Sequence, residues 1–491
     1  MSAQTRPVRF LLGDQRRELA AIDPNTTVLN YLRLVERRVG TKEGCGEGDC
    51  GACSVVLGEL DGGTLRYRAV NSCIQFVGAL DGKQLLTVED LADGMLHPCQ
   101  QAMVDCHGSQ CGFCTPGFVM SLFALYQEPG IPDRNRIDDA LAGNLCRCTG
   151  YGPIAAAAKA MKEGAEPDLF AGRAAETAAA LKALDDGAMA SLEGDGRRYF
   201  APRSVDALAT LLLDHPGATI LAGGTDVGLW VTKQLRRLGP IIAIGAVEEL
   251  KRISVDDGWI EIGAGVTYSD ALATIEPHYP DVADMMRRLG SEQIRNAGTI
   301  GGNIANGSPI GDAPPPLIAL GSRLLLRCGD RTRELALEDF FLDYGKQDRQ
   351  PGEFVVAVKV PVADPKSIVR CYKISKRFDQ DITASLGAFA LTLDNGEVAD
   401  IRICFGGMAP VPKRARQAEA ALKGKPWTRE TVEGACWVLS EDYTPISDMR
   451  ASAHYRLRVA QNLLRKFFIE TSEPVARTRI MAERRAAHAR A

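Results

Sequence analysis

The sequence predicts a multidomain α+β protein, and three observations support this. The chain has 491 residues, which corresponds to about three domains at roughly 150 residues each. Ten of the 14 cysteines fall before Gly150, and short strand and helix patterns alternate in the second half. Hydrophobic residues make up 45% and charged residues 24% of the chain, as in ordinary globular proteins. The net charge of −4 gives no reason to expect nucleic acid or a membrane as a partner.

The first predicted domain, residues 1–83, contains four cysteines with the spacing C-x4-C-x2-C-x19-C. This spacing is typical of plant-type ferredoxins, in which four thiolates bind a 2Fe-2S cluster. Loop glycines would let the backbone wrap an anionic core, and the flanking strands and helix favour a β-grasp fold. A zinc site with four cysteines is the alternative, although such sites usually contain two C-x2-C pairs. The predicted ligands are Cys45, Cys50, Cys53 and Cys73.

The second predicted domain, residues 84–165, contains a C-x2-C pair and a C-x-C pair. Each pair comes just before a helix start signal, Thr115–Pro116 or Gly152–Pro153. Two helix N-termini would therefore stabilise thiolates and a net negative cluster. A capping-box pattern at Thr87–Asp90 and a helix from Arg136 to Ala142 complete a predicted four-helix 2Fe-2S domain. The predicted ligands are Cys111, Cys114, Cys146 and Cys148.

The spacing of this second set leaves alternatives open. A zinc knuckle is one, and a redox-active C-x2-C motif is another, although no βαβ pattern surrounds it. The competing ligands for a zinc ion are Cys99, Cys106, His97 and His107.

Two segments around these cysteines resemble the iron–sulfur region of the molybdenum hydroxylase family, to which xanthine dehydrogenases belong. They are GSQCGFCTPGFVMS, residues 108–121, and GNLCRCTGY, residues 143–151, and they follow a plant-type ferredoxin domain. The resemblance implies that both clusters are 2Fe-2S and that the helical one lies beside a molybdopterin. It also implies that Gln110 and Cys148 approach the pterin from this chain.

Residues 166–195 are rich in Ala, Gly and Asp, which predicts a partly helical linker. Glycine-rich stretches follow in residues 196–367, and their N–H groups would suit a dinucleotide pyrophosphate. Each stretch taken alone is also typical of an ordinary turn, and none is a G-x-G-x-x-G motif in a Rossmann unit. The stretches are 221–228, 263–265, and 297–304 continuing to 308–312.

LAGGTDVG and AGTIGGNIANGSPIGD resemble the two flavin-binding segments of the same family, whose FAD domain is of the vanillyl-alcohol-oxidase type. The resemblance implies that residues 196–367 bind FAD and that residues 368–470 form a small C-terminal α+β flavoprotein domain. A solvated strand lysine is the alternative for Lys373. The implied FAD-binding residues are Leu221, Ala222, Gly223, Gly224, Thr225, Asp226, Val227, Gly228, Leu289, Thr299, Gly302, Asn303, Asp312, Val355 and Lys373.

The remaining cysteines and the end of the chain have simpler explanations. Cys328, Cys371, Cys404 and Cys436 are scattered singly and are expected to be buried structural thiols. Residues 471–491 form a basic tail, either a solvated end or a partner contact. No secretory signal is visible, so we expect a cytoplasmic protein whose reduced cysteines bind metal.

The resemblance further implies an oxidoreductase that transfers electrons rather than one that binds the organic substrate. No Ser/His/Asp or Cys/His catalytic set emerges, so no catalytic residue is assigned to this chain. We expect a molybdopterin-binding large subunit as partner, in a heterodimer or a dimer of heterodimers. Electrons from purine oxidation would pass through the second cluster, the first cluster and FAD to NAD. The alternatives are a molybdenum hydroxylase for an aldehyde or N-heterocycle and, more remotely, a zinc-binding scaffold.

Overall fold

The computed structural model describes residues 5–163 and 168–472, which form two compact units of mixed α and β structure. The first unit comprises the chain up to Glu248 together with Gly290–Gly298. The second comprises Glu249–Leu289 and the chain from Thr299 onward. The boundary between the units falls inside residues 196–367, so part of the predicted FAD domain groups with both cysteine-rich regions.

A mixed five-stranded sheet carries the first cysteine loop, which confirms the predicted β-grasp fold. Alternate residues of the first long strand face the core, where the Phe10 and Tyr31 ring centroids lie 5.9 Å apart. Tyr31 begins the π-helical turn Tyr31–Val35, which continues the short helix Val28–Asn30. In spatial order the strands are Gln15–Leu19, Val8–Leu12, Gln84–Leu86, Ser54–Asp61 and Thr64–Asn71.

Four helices follow, as predicted, but their starts differ from the prediction. Tyr151, not Gly152, is the N-cap residue of the last helix, and the third helix begins at Arg134 rather than Arg136. Cys114, not Thr115, is the N-cap residue of the second helix. Thr115 and Pro116 both lie in the first helical turn, where proline is tolerated. The capping box at Thr87 is present, but it closes only the three-residue 3-10 turn Val88–Asp90. The helices are Pro98–Asp105, Thr115–Tyr126, Arg134–Leu141 and Gly152–Ala160.

The predicted linker is helical in part, and its residues 166 and 167 lie outside the described residues. It contains the helices Leu169–Gly172 and Ala174–Leu184, and the strand Met189–Gly194 begins before its end. Leu181 and Leu184 are buried against Leu11 of the β-grasp sheet. The linker is therefore packed against the first domain in spite of its small residues.

A second sheet of the first unit contains the very short strand Thr5–Arg6, which pairs in parallel with Met189–Gly194. Tyr199 of this sheet is fully buried in the same hydrophobic core as Phe10 and Tyr31, so the two sheets share one core. In spatial order the strands are Thr5–Arg6, Met189–Gly194, Arg197–Ala201, Ile241–Ala243 and Thr219–Leu221. The helices of this part are Val205–Asp214, Val227–Thr232 and Glu292–Arg295.

The second unit begins with an antiparallel five-stranded sheet packed against helices. In spatial order its strands are Ile253–Asp256, Trp259–Gly263, Phe354–Pro361, Arg323–Cys328 and Arg331–Ala336. Its helices are Tyr268–His278, Pro280–Arg287, Ile300–Asn306, Pro314–Ala319 and Leu337–Phe340, and a small hairpin joins Phe341–Asp343 to Lys346–Gln347.

A four-stranded antiparallel sheet covered by three helices ends the described chain, as expected for a small α+β domain. Its strands are Ser367–Ile374, Ser385–Asp394, Glu397–Gly406 and Lys413–Arg414, and its helices are Arg416–Leu422, Arg429–Asp442 and Ala453–Ser472. The basic tail, residues 471–491, lies outside the described residues from position 473. Among the residues that the structure describes, none of the helices is both long and apolar enough to cross a membrane.

Candidate functional site

The loop that carries the first cysteine set directs backbone N–H groups at sulfur. The Cys45 Sγ atom accepts from the backbone nitrogens of Glu47, Asp49 and Cys50 at 3.4, 3.3 and 3.4 Å. The Cys50 thiol and these N–H groups lower the pKa of Cys45 to about 5. Positive φ angles at loop glycines such as Gly48, at 79°, allow this wrapping. The loop is therefore built to hold a thiolate.

The four thiols of this set associate two by two. Cys45 contacts Cys50, and Cys53 contacts Cys73, whose thiol is the main cause that lowers the pKa of Cys53. Cys53 and Cys73 are buried, and the Asn71 side-chain nitrogen lies 3.7 Å from the Cys53 Sγ. Two thiolates for each of two irons is the arrangement of a 2Fe-2S cluster, whereas one zinc ion takes all four together. The residues present fit the cluster.

The second set associates in the same way, Cys111 with Cys148 and Cys114 with Cys146. The Phe113 N–H and then the Cys148 thiol lower the pKa of Cys111. Burial raises the pKa of Cys114 to about 12. No three His, Cys, Asp or Glu side chains surround one point as ligands of a single ion within residues 5–163 and 168–472. The pairwise arrangement again fits two irons.

One face of this second set is open to solvent. Cys111, Cys148 and Gln110 are exposed. Three large apolar side chains of the same two loops are exposed beside them, at 48%, 42% and 42% of their surface. They are Phe113, Leu145 and Tyr151.

The two cysteine loops touch each other through their backbones. The Leu145 N–H donates to the Cys50 carbonyl oxygen at 3.0 Å, and Leu145 directly precedes the ligand Cys146. The Asn144 side-chain nitrogen donates to the Gly51 carbonyl at 3.2 Å. A single hydrogen bond therefore joins Cys50, a predicted ligand of the first set, to Leu145, the neighbour of a predicted ligand of the second set.

The first glycine-rich stretch, residues 221–228, lies against the residues that follow Cys73. The Gln75 side-chain nitrogen donates to the Gly223 carbonyl at 2.7 Å. A Cβ added to Gly224 or Gly228 would lie 2.8 or 2.6 Å from the Ile74 carbonyl oxygen. These glycines are therefore required for close backbone contact within the protein, in addition to any contact with a phosphate.

The third glycine-rich stretch, residues 297–304, contains a buried hydrogen-bond acceptor without a partner among the described residues. Thr299 accepts from the Gly302 N–H at 3.0 Å and caps the helix Ile300–Asn306. Among the described residues the Asn303 side-chain oxygen is buried and receives no hydrogen bond. A buried acceptor of this kind requires a donor, and the N–H and O–H groups of a bound dinucleotide supply donors. The residues present fit FAD.

Lys373 is buried in an ion pair with Asp312, so it is not the solvated lysine of the alternative interpretation. The Lys373 Nζ atom lies 2.7 Å from an Asp312 carboxylate oxygen and donates to the Arg288 carbonyl at 2.9 Å. The Thr383 hydroxyl donates to the other Asp312 oxygen. Sequence reasoning missed Thr383 and Arg288, because no spacing marks a residue 71 positions from its partner.

The two other predicted FAD positions in the second unit differ in their surroundings. Leu289 is half-buried at the edge of the hydrophobic core. Val355 is buried in that core on the strand Phe354–Pro361. Both remain predictions as flavin contacts, and Val355 has packing partners of its own.

A buried Cys–His–Asp arrangement was also missed from the sequence. His97 Nδ1 lies 3.0 Å from the Cys99 Sγ, and His97 Nε2 lies 2.8 Å from an Asp168 oxygen. Cys99 is fully buried, and burial raises its pKa, which disfavours the nucleophilic thiolate. His97 and Cys99 therefore contact each other in the helical region. Cys106 is half-buried in the same region.

The scattered cysteines of the second unit are thiols in mostly apolar surroundings. Cys404 and Cys436 are fully buried, which confirms the expected structural role for these two. Cys371 packs at the edge of the core, and Cys328 is only partly buried.

Comparison with known families gives four matches, in the order that the sequence predicts. Residues 11–77 match a 2Fe-2S iron-sulfur cluster binding domain, and residues 87–159 match a [2Fe-2S] binding domain. Residues 192–363 match the FAD binding domain in molybdopterin dehydrogenase. Residues 370–471 match the CO dehydrogenase flavoprotein C-terminal domain.

Relatives are similar over nearly the whole chain. Xanthine dehydrogenase of Emericella nidulans is 31% identical over 94% of this chain, and xanthine dehydrogenase 1 of Arabidopsis thaliana is 29% identical over 91%. The chain spans only 38% of the length of either relative.

Solved structures cover part of the chain. A chain of carbon monoxide dehydrogenase from Hydrogenophaga pseudoflava is 28% identical with a TM-score of 0.52, covering 55% of this chain and 94% of that one. A chain of quinoline 2-oxidoreductase from Pseudomonas putida 86 is 25% identical with a TM-score of 0.51 at the same coverage.

Two 2Fe-2S domains followed by a FAD domain define the iron–sulfur flavoprotein class. The order and kind of the four domains are those of the iron–sulfur and FAD subunit in one family. The four domains match those of the iron–sulfur and FAD subunit of molybdenum hydroxylases, and the chain is homologous to xanthine dehydrogenases.

Proposed function

We propose that this chain is the small subunit of a xanthine dehydrogenase and carries electrons from a molybdenum-containing partner to NAD. The hydrogen bond from Leu145 to the Cys50 carbonyl is the observation that carries the proposal, because it joins the two cysteine loops directly. The Ile74 carbonyl, next to Cys73, contacts the stretch 221–228. These contacts support electron transfer from the second cysteine set to the first set and then to the flavin-binding segment.

The residues that would hold the cofactors are those predicted from the sequence. The eight cysteines would hold two 2Fe-2S clusters, and the positions that the resemblance implies would hold FAD. When bound, the clusters exchange single electrons and FAD collects two. The Cys45 loop holds a thiolate through its N–H groups. Asn303 would accept a hydrogen bond from the dinucleotide.

The open face of the second set supports a large partner that brings the pterin. Gln110 and Cys148 are exposed there. Phe113, Leu145 and Tyr151 add exposed apolar surface, which is typical of a docking surface. We therefore assign purine oxidation to the partner and the NAD reaction to this chain.

A molybdenum hydroxylase for another substrate is the second candidate. The similarity to quinoline 2-oxidoreductase favours an N-heterocycle in that case. The partner chain would decide, because the proposed substrate pocket lies in that chain. The pairwise association of the thiols argues against the zinc-binding scaffold.

The test is the metal and flavin content of the full chain, purified without oxygen. We expect about four irons and one FAD per chain, because two 2Fe-2S clusters contain four irons. A colourless protein with one or two zinc ions would refute the proposal. The chain is then co-expressed with a molybdopterin-binding partner, and turnover of xanthine, an aldehyde and quinoline by the complex identifies the substrate.

A further inference from the structure

Gln293 lies at the junction of the two cysteine loops, although it comes from a distant part of the sequence. It belongs to the helix Glu292–Arg295, in the segment Gly290–Gly298 that forms part of the first compact unit. Its side chain is 1% exposed. The side-chain nitrogen lies 2.9 Å from the Asn144 oxygen, 3.1 Å from the Ser121 hydroxyl and 3.3 Å from the Ser54 hydroxyl.

The partners of Gln293 are the residues that bring the two loops together. Ser121 donates to the Asn144 oxygen at 2.7 Å, and the Asn144 nitrogen donates to the Gly51 carbonyl at 3.2 Å. Gly51 lies between Cys50 and Cys53, and Asn144 lies two residues before Cys146. The hydrogen-bonded group of Gln293 therefore spans the first loop, the second loop and a helix of the second region.

Two glycines of the junction, Gly143 and Gly51, allow the close contacts at this point. A Cβ on Gly143 would lie 1.9 Å from the Gln293 side-chain oxygen, and a Cβ on Gly51 would lie 2.2 Å from the Gly143 carbonyl. Beside it, the Leu145 N–H donates to the Cys50 carbonyl at 3.0 Å. Gln293 thus fills the space that fixes the separation of these two backbones.

We propose that Gln293 is a positioning residue for electron transfer between the two clusters. The inference rests on the proposed function, because it requires both clusters. Electron tunnelling slows steeply when a hydrogen-bonded path is replaced by a gap. By holding Asn144 and Ser54, Gln293 keeps the Leu145–Cys50 bond closed. The segment Gly290–Gly298, which adjoins the flavin-segment residue Thr299, thereby controls the coupling between the clusters.

The test uses the full chain with Gln293→Leu, which introduces an apolar side chain of similar size and removes the hydrogen bonds. The matched control is Glu292→Gln, which breaks the adjacent ion pair with Arg136, 2.6 Å in length, and leaves the junction intact. The first readout is the magnetic interaction between the two reduced clusters in electron paramagnetic resonance spectra. The second is the rate of electron equilibration between the clusters after pulse radiolysis.

We expect Gln293→Leu to weaken the magnetic interaction and slow equilibration several-fold at full iron content, with Glu292→Gln unchanged. An unchanged rate and spectrum in iron-loaded Gln293→Leu would overturn this inference alone. An equal effect of Glu292→Gln would also overturn it, because loosening of the segment Gly290–Gly298 would then explain the slower electron transfer without a specific role for Gln293. If Gln293→Leu does not load iron, Ser121→Ala removes one partner and must show a smaller change in the same direction. Wild-type chain without 2Fe-2S signals would overturn the proposed function as well.

Discussion

Lys373 shows that the role of a residue depends on its surroundings as well as on its residue type. The strand pattern around it permits a solvated lysine or a flavin contact. In the fold its ammonium group is buried against Asp312 and the Arg288 carbonyl, which lie 61 and 85 positions away in sequence. Alternation along a strand shows which residues share a face, but not what covers that face. The burial of Lys373 therefore had to come from the structure.

Replacing Lys373 with methionine leaves the Asp312 carboxylate buried without its cation. We expect a loss of about 3–5 kcal/mol in the free energy of unfolding, the usual result of breaking a buried ion pair on one side. We also expect reduced flavin content. Urea denaturation and flavin absorbance are the measurements.

Lys359→Met is the control for Lys373→Met. Lys359 lies 3.1 Å from Glu334 in a more exposed ion pair, which usually contributes about 0–1 kcal/mol. Equal losses in the two variants would contradict the assignment of a buried pair.

Lys233 places a positive charge at the first cysteine loop. Its ammonium group donates to the Cys45 carbonyl and lies 3.5 Å from a Glu47 carboxylate oxygen. We expect Lys233→Met to make the reduction potential of the first cluster more negative, because a cation favours addition of an electron. A redox titration followed by electron paramagnetic resonance measures this.

Glu47→Gln is the control of opposite sign for Lys233→Met. It removes a negative charge from the same loop, so the potential of the first cluster should rise. The potential of the second cluster should stay constant in both variants. Shifts of the same sign in the two variants would contradict the electrostatic explanation.

At the scale of elements, the sequence predicts periodic and well-spaced features and misses long-range contacts. The β-grasp sheet and the four helices follow from local patterns. Cysteine spacing predicts the two ligand sets, but not which thiol contacts which. The docking of Gln293 depends on packing between distant segments. Such contacts leave no local signal in a single sequence.

Two helix starts are joined by a buried hydrogen bond, His97 before Pro98–Asp105 and Asp168 before Leu169–Gly172. Although burial acts to raise the pKa of Asp168, hydrogen bonds from His97 and the Ala171 N–H lower it. A carboxylate whose pKa is lowered by folding stabilises the protein above its unfolded pKa of about 3.9. This contribution disappears as the pH falls through the folded pKa.

We therefore expect Asp168→Asn to cost about 1.5–3 kcal/mol at neutral pH, the usual contribution of a hydrogen bond to a charged group. The difference from wild type should shrink below a pH of about 4. Urea denaturation at a series of pH values measures it. If the difference in unfolding free energy between Asp168→Asn and wild type stays constant down to pH 3, the charge of Asp168 does not contribute to stability.

At the scale of the whole molecule, the sequence predicts the order of the domains and the structure adds how they group. Motif resemblance covers each cofactor region separately. The first compact unit nevertheless takes in both cysteine-rich regions, the first glycine-rich stretch and the segment Gly290–Gly298. This grouping depends on a core that Phe10 and Tyr199 share, and a motif does not report such a core.

The chain purified alone should reduce dyes with NADH and should not oxidise xanthine. The reason is that the proposed flavin and cluster sites lie in this chain, whereas the proposed purine pocket lies in the partner. Dye reduction and urate formation are the two assays. Xanthine turnover by the isolated chain would contradict the two-subunit proposal, and addition of the molybdenum partner should restore it.

The strand Thr5–Arg6 has a consequence for the order of events during synthesis. Its partner strand, Met189–Gly194, leaves the ribosome about 180 residues later, and Arg6 is held by Asp81 and Asp186. All eight predicted cluster ligands lie between the two strands. All eight of these cysteines have therefore been synthesised before Thr5–Arg6 can pair with Met189–Gly194.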